Sequence, residues 1–276
     1  MIYRGEIFAE TGGSMRTRRF ELLRPDEILR EKERRPIAYL PVGPLEWHGP
    51  HLPVGTDPLN AYAVATALAE RNGGVVLPAF YWGTERERRP EMLKNIGFGG
   101  DEYIVGMDFP LNPMRSLYAR EDAFGAAVRE YLRMLAAQGY KLVVIVNGHG
   151  AENHIHTLRR LAAEFTAETD CAVWYTITTF LESGEQDFGH ATKTETSLMG
   201  YLHPDCVDVS ALPPSGTPLY NTAHAVVDHE SFVGEPNASR AVIHDPRDYD
   251  AGYGKKVFEH SVAVISEKID VLINSL

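Results

Sequence analysis

The chain has 276 residues, 44% of them apolar and 24% charged, with a formal net charge of −11. The length suits one large domain or two small ones, and the composition is that of an ordinary globular protein. The acidic balance, with no basic stripe beyond the short run Arg16 to Arg19, argues against nucleic acid and against anionic membranes as partners. Two cysteines, Cys171 and Cys206, make no disulfide framework, so a reducing cytoplasm is the expected location. The segment Met1 to Glu6 has no apolar core of a signal peptide, and no 18-residue apolar run offers a membrane span.

Residues 1–20 are polar and read as an N-terminal arm. Pro25 to Arg35 reads as a charged helix with Asp26 near its start. The proline-bounded run from Pro36 to Val42 is a buried strand candidate. Pro58 to Asn72 has Ala61, Val64, Ala65, Leu68 and Ala69 at helical spacing, with Asp57 as N-cap and Gly73-Gly74 as stop. Gly74 to Phe80 is the next strand candidate. This alternation signals an α/β architecture.

Residues 81–118 are irregular, and a loop this long is usually functional. Its Tyr81, Trp82, Arg86, Phe109, Arg115 and Tyr118 suit a pocket lining or an oligomer interface equally well. Arg120 to Gly139 reads as an amphipathic helix, Tyr140 to Val146 as a central parallel strand, residues 152–168 as a helix and Cys171 to Thr178 as a strand. A short helix through Leu202 follows. Residues 204–250 are rich in Pro and Gly and include His224 and His229, and Tyr253 to Leu276 closes the chain as a helix. No internal repeat or linker appears, so residues 1–276 are expected to form a single domain.

The chemistry concentrates after the first strand, in Glu46, His48 and Asp57. In extended backbone, residues i and i+2 point to one side, so a carboxylate and an imidazole can face one volume, and the Pro- and Gly-rich loop can return Asp57 to it. Carboxylate and imidazole without thiolate suit zinc, manganese or iron. A lone Glu-x-His is more often a solvated pair. Here matching groups recur at His149, after the central strand, and from His190 to Glu195. Polar groups at the C-terminal end of a central strand are where open α/β sheets bind ligands.

Three segments together, Leu40 to Asp57, Asn147-Gly148-His149-Gly150, and His190-Ala191 followed by Glu195-Thr196-Ser197, resemble the signatures of the creatininase (creatinine amidohydrolase) family. The resemblance covers roughly residues 35–205. It implies a three-layer α/β/α fold with a mostly parallel central sheet, two divalent metal ions, and a homo-oligomer, often a hexamer. It implies Glu46, His48, Asp57 and His149 as metal ligands. Asp57 would bridge both ions, Glu46 and His149 would complete one site, and His48 the other. Creatininase carries a glutamate two residues after the turn histidine, where this chain has Ala151. The remaining ligand is then Glu195, which is favoured, or Glu152. His190 matches a histidine that contacts substrate and moves protons, a role shared with whichever glutamate is not a ligand. Trp82 and Arg115 are candidate substrate contacts, and His51 is expected beside the ligands rather than among them. His154 and His156 match no motif position and read as ordinary histidines.

The activity so implied is metal-assisted hydrolysis of a small polar substrate, a C–N bond in a cyclic amide being the expected case. The stretch Asp108 to Pro113 lacks the family's His-Phe-Pro-Gly-Thr, which counts against creatinine itself. A second reading keeps the metals and opens the ring of a cyclic polyhydroxylated diketone, with Arg86, Arg88, Arg89 and Arg115 facing its oxygens. A third is a non-catalytic metal- or ligand-binding protein on the same fold.

Overall fold

A computed structural model of the chain describes residues 15–85, 89–95, 97–102, 106–185, 187, 189–228 and 241–276. Its elements run α1 (Pro25–Arg34), β1 (Ile37–Val42), α2 (Thr56–Asn72), β2 (Val75–Val76), α3 (Pro90–Asn95), α4 (Glu121–Ala137), β3 (Leu142–Asn147), α5 (Glu152–Glu168), β4 (Ala172–Ile177), α6 (Lys193–Leu202), α7 (Asn221–His224) and α8 (Ala251–Asn274), with short 3-10 turns between. The four strands form one parallel sheet in the order β2-β1-β3-β4. β1 and β3 are buried along their whole length, which is why they are continuously apolar in sequence.

Alternate residues of each strand feed opposite layers. Ala38, Leu40, Val42, Val143 and Ile145 pack on Phe124, Val128 and Leu132 of α4 and on Leu158, Leu161 and Phe165 of α5. Ile37, Tyr39, Val144 and Val146 pack on Ala61, Val64, Ala65 and Leu68 of α2 and on Val262, Ile265 and Ile269 of α8. The result is the three-layer α/β/α arrangement. Each fully buried Leu or Val side chain contributes ~2 kcal/mol through the water it sheds. Helix α6 lies against α8 so closely that a Cβ on Gly254 would fall 2.0 Å from the Ser197 carbonyl oxygen. That contact sets the height of α6, and with it Glu195.

Several boundaries differ from the sequence expectations. The strand expected over Gly74 to Phe80 pairs only at Val75 and Val76, because Pro78 has no N–H to continue a ladder. Phe80 still meets β1 again, opposite Val42. Helix α2 begins at Thr56, with Gly55 as N-cap, so Asp57 sits inside the first turn and does not cap it. Helix α1 is capped at Arg24, whose N–H donates to Glu27 Oε2 at 2.8 Å, and Asp26 is one residue inside. The final helix starts two residues early, at Ala251, where Asp250 accepts from the Gly252 N–H. The irregular stretch 81–118 contains α3. Most of the N-terminal arm (residues 1–14), Arg86, Arg88 and His229 lie outside the described residues.

Candidate metal-binding site

β1 and β3 lie side by side, and both deliver their site residues just past their C-terminal ends. Beyond β1 the chain is held by Glu46 N–H donating to the Val54 carbonyl (2.8 Å) and by Leu117 N–H donating to the Leu45 carbonyl (2.8 Å). Asp57 comes from the first turn of α2, His149 from the turn after β3, and Glu195 from the first turn of α6. Glu46, His48, Asp57, His149 and His190 are all buried.

Their donor atoms form three groups, each within 4.8 Å: Glu46, Asp57 and His149; His48, Asp57 and Glu195; and Glu46, His48 and His190. Asp57 Oδ2 lies 2.9 Å from His149 Nδ1, and Oδ1 lies 3.1 Å from His48 Nε2. Glu46 Oε2 is 3.0 Å from His149 Nδ1, and Glu195 Oε2 is 3.9 Å from His48 Nε2. Ala191 takes the left-handed φ of 55°, and its N–H donates to Glu195 Oε2 at 2.5 Å.

Three carboxylates thus share one buried place, and among the described residues their side-chain ion-pair partners are histidines alone. Burial pushes the Glu195 carboxyl up to about 7. Burial pushes Asp57 and Glu46 the same way, but His48 and His149 outweigh it for Asp57, and His149 and His190 for Glu46, so both fall below the carboxylate range. Burial also opposes charge on His48, yet Asp57 raises it to about 10, and His149 likewise rises under Glu46 and Asp57. The carboxylates therefore draw protons onto the imidazoles, as a site short of positive charge does. Glu46 Oε2 and His48 Nε2 make their short contacts without hydrogen-bond alignment. Donor atoms that converge in this way fit a divalent cation, which would displace those protons, better than they fit one another.

Other residues hold these groups in place. Tyr118 O–H donates to Glu46 Oε1 at 2.6 Å. Its strap is pinned by Asp108, whose carboxylate accepts from Ser116 N–H (2.9 Å) and Ser116 O–H (2.6 Å), while Ser116 Oγ accepts from Trp47 N–H (2.8 Å). His190 Nε2 faces the Trp47 carbonyl at 2.8 Å, which places the proton on Nε2 and leaves the Nδ1 lone pair 3.9 Å from Glu46 Oε1. Burial and the charge of His48 bring His190 down to about 4. His51 Nε2 bonds Thr196 Oγ1 at 3.0 Å, beside Glu195 and outside the three groups.

Glu152 is exposed at the first residue of α5 and belongs to none of the groups. Trp82 is exposed and stacks on Phe80, with centroids 5.8 Å apart. Arg115 is exposed and lays its guanidinium over the Phe98 ring, 4.4 Å from the centroid. Sequence reasoning passed over Asp108 and Ser116, which act across loops, and Glu85, whose Oε2 lies 3.7 Å from His149 Nε2. No spacing signal marks Glu85.

Residues 21–269 match the creatininase family model, described as creatinine amidohydrolase. Creatinine amidohydrolase of Pseudomonas putida is 27% identical over 205 residues, 67% of this chain and 72% of that protein. The mycofactocin precursor peptide peptidase of Mycolicibacterium smegmatis is 28% identical over 241 residues, 85% of this chain and 84% of that protein. Its Mycobacterium tuberculosis counterpart is 30% identical over 217 residues, 75% and 77% of the two chains. A crystal structure of creatinine amidohydrolase matches with a TM-score of 0.66 at 23% identity, over 94% of this chain and 99% of that one. At that identity the likeness speaks to the fold.

Proposed function

The chain belongs to the creatininase family, whose model spans residues 21–269, and on that premise we propose a divalent-metal-dependent amidohydrolase that breaks a C–N bond in a small polar, cyclic substrate. The observation that carries the reading is the position of Asp57, whose two oxygens face two different donor groups. Asp57, Glu46 and His149 would hold one ion, and Asp57, His48 and Glu195 the other. Two such ions would acidify a shared water and polarise the substrate carbonyl. Zinc, manganese or iron suits these donors. Solved creatininases include a manganese form and a zinc-zinc form.

The chain's own residues supply the rest. Asp57 and Glu46 keep the ligands in register, and Tyr118 holds Glu46 Oε1. His190, with Nε2–H tied to the Trp47 carbonyl, accepts a proton at Nδ1 from the attacking water and returns it to the leaving nitrogen. Glu152 stands exposed, which favours His190 for this task. Trp82 and Arg115 are read as rim contacts for substrate. The exposed Leu111, Met114 and Leu117 support a homo-oligomer, and the free Cys171 and Cys206 support a cytoplasmic location. No helix among the described residues is long and apolar enough to cross a membrane.

The test is metal content per chain, by plasma emission on protein purified without chelator, followed by a panel of lactams, formamides, short peptides and cyclic diketones. Two divalent ions per chain, lost together in Asp57→Ala, with turnover of an amide, is the expected result. One ion in the parent chain, full retention in Asp57→Ala, or turnover of diketones alone would overturn it.

A further inference from the structure

His154 carries no motif and reads from the sequence as an ordinary histidine, yet it is fully buried and sits behind the ligand His149. It occupies the third position of α5. Its two ring nitrogens have different partners. Thr84 N–H donates to Nδ1 at 3.3 Å, so Nδ1 must present a lone pair. The single proton is then on Nε2, which lies 2.9 Å from Asn147 Oδ1 and donates to it.

Asn147 in turn brackets the backbone of His149. Its Oδ1 also accepts the His149 N–H at 3.0 Å, and its Nδ2 donates to the His149 carbonyl at 2.6 Å and to Tyr175 Oη at 3.2 Å. The Asn147 amide therefore has one workable orientation, fixed on its oxygen side by two donors. His154 also meets the His149 ring directly. The two rings are edge to face, with centroids 5.0 Å apart and planes at 86°, while Phe124 backs His154 at 4.6 Å. Thr84 of the loop after β2, Phe124 of α4, Asn147 of β3 and His149 of the turn after β3 thus converge on this one imidazole.

We propose that His154 is a positioning residue for the metal group of Glu46, Asp57 and His149. Through its hydrogen bond to Asn147 it fixes the backbone of His149, and with it the direction in which His149 Nδ1 is presented. Groups that orient a ligand histidine commonly change metal affinity 10- to 100-fold when removed. His154 acts one step further back, so roughly a 10-fold loss is expected. The loss should fall on one of the two metal equivalents, since His48 and Glu195 make no contact with His154 in this network.

The inference rests on the dinuclear reading above. Its test is chelator competition on the full chain, using zinc as the probe, for the parent, His154→Phe and His154→Gln. His154→Phe keeps the ring stack and removes both hydrogen bonds. His154→Gln keeps a donor for Asn147 Oδ1. The expected outcome is one zinc weakened about 10-fold in His154→Phe, the other unchanged, and recovery of most of the loss in His154→Gln. Equal affinities in the parent and His154→Phe overturn the proposal, as does a His154→Gln variant no better than His154→Phe. A parent chain that binds no zinc overturns the dinuclear reading instead, so the two failures are distinct. Should His154→Phe not fold, 15N-histidine spectra of the parent chain still decide. A neutral ring protonated on Nε2 is expected, and an Nδ1–H tautomer overturns the proposal.

Discussion

A Cβ on Gly148 would stand 2.1 Å from the carbonyl oxygen of Asp57. The turn after β3 and the first turn of α2 are therefore in backbone contact, and the distance from His149 to Asp57 is set by the absence of a side chain between them. Gly148→Ala should force the two backbones apart and destabilise the fold by roughly 3 kcal/mol. It should also lower metal content, by moving His149 Nδ1 from Asp57. Gly150→Ala is the control, since a Cβ there meets nothing within 4 Å. Thermal melts and metal analysis of the two variants check this. An unaltered Gly148→Ala would mean that the close approach relaxes at little cost.

Glu195 and Glu152 separate by the same kind of comparison. Glu195→Gln keeps the shape and removes a charge beside His48, so it should lose about one metal ion per chain and most activity. Glu152→Gln, exposed at the start of α5, should keep both. Metal loss from Glu152→Gln with none from Glu195→Gln would reverse the assignment.

Tyr118→Phe removes the hydrogen bond to Glu46 Oε1 and the longer one from Met107 N–H (3.3 Å), and the loss of a bond to a charged acceptor costs about 1.5–3 kcal/mol. We expect kcat/KM to fall about tenfold or more, with a smaller change in melting temperature, because the strap stays pinned by Asp108 and Ser116. Steady-state kinetics on whichever amide the panel identifies, alongside a thermal melt, separates the two effects. A melt that falls with no kinetic change would make Tyr118 a packing residue only.

The thiols differ in the same measurable way. Burial pushes Cys171 up to about 11, so at pH 8 only about a thousandth of it is thiolate, whereas Cys206 is exposed. One thiol per native chain should react quickly with a disulfide reagent at pH 8, and the second only after unfolding. Two fast thiols would show that β4 opens readily.

The elements legible in the sequence were those whose signal is local. β1 and β3 announce themselves as apolar runs, and α2 and α4 by their 3.6-residue stripes. The extent of β2 was misjudged because apolar residues continue past the point where Pro78 ends pairing. Asp57 was misjudged as a cap because an acidic residue suits the first turn of a helix as well as its cap, and Gly55 takes the cap position here. The placement of Glu46, His48 and Asp57 near one another follows from twelve residues of chain. The roles of Tyr118, Asp108 and Asn147 depend on elements that meet only in the folded state, and no spacing rule reaches across such distances. His154 is the clearest case: its type was visible, but Thr84 and Asn147, which give it meaning, lie 70 and 7 residues away.

The strap from Gly106 to Tyr118 and the loop from Leu45 to His48 are stitched together by Ser116, Asp108 and the pairing of Leu117 with Leu45. The strap and the candidate metal site therefore share one piece of masonry. A lineage that reshapes the strap for a new substrate shifts Tyr118, and with it the grip on Glu46. Changes of taste in this protein should thus arrive together with changes in metal preference, and substitutions in the strap will be tolerated mainly where they spare Asp108, Ser116 and Tyr118.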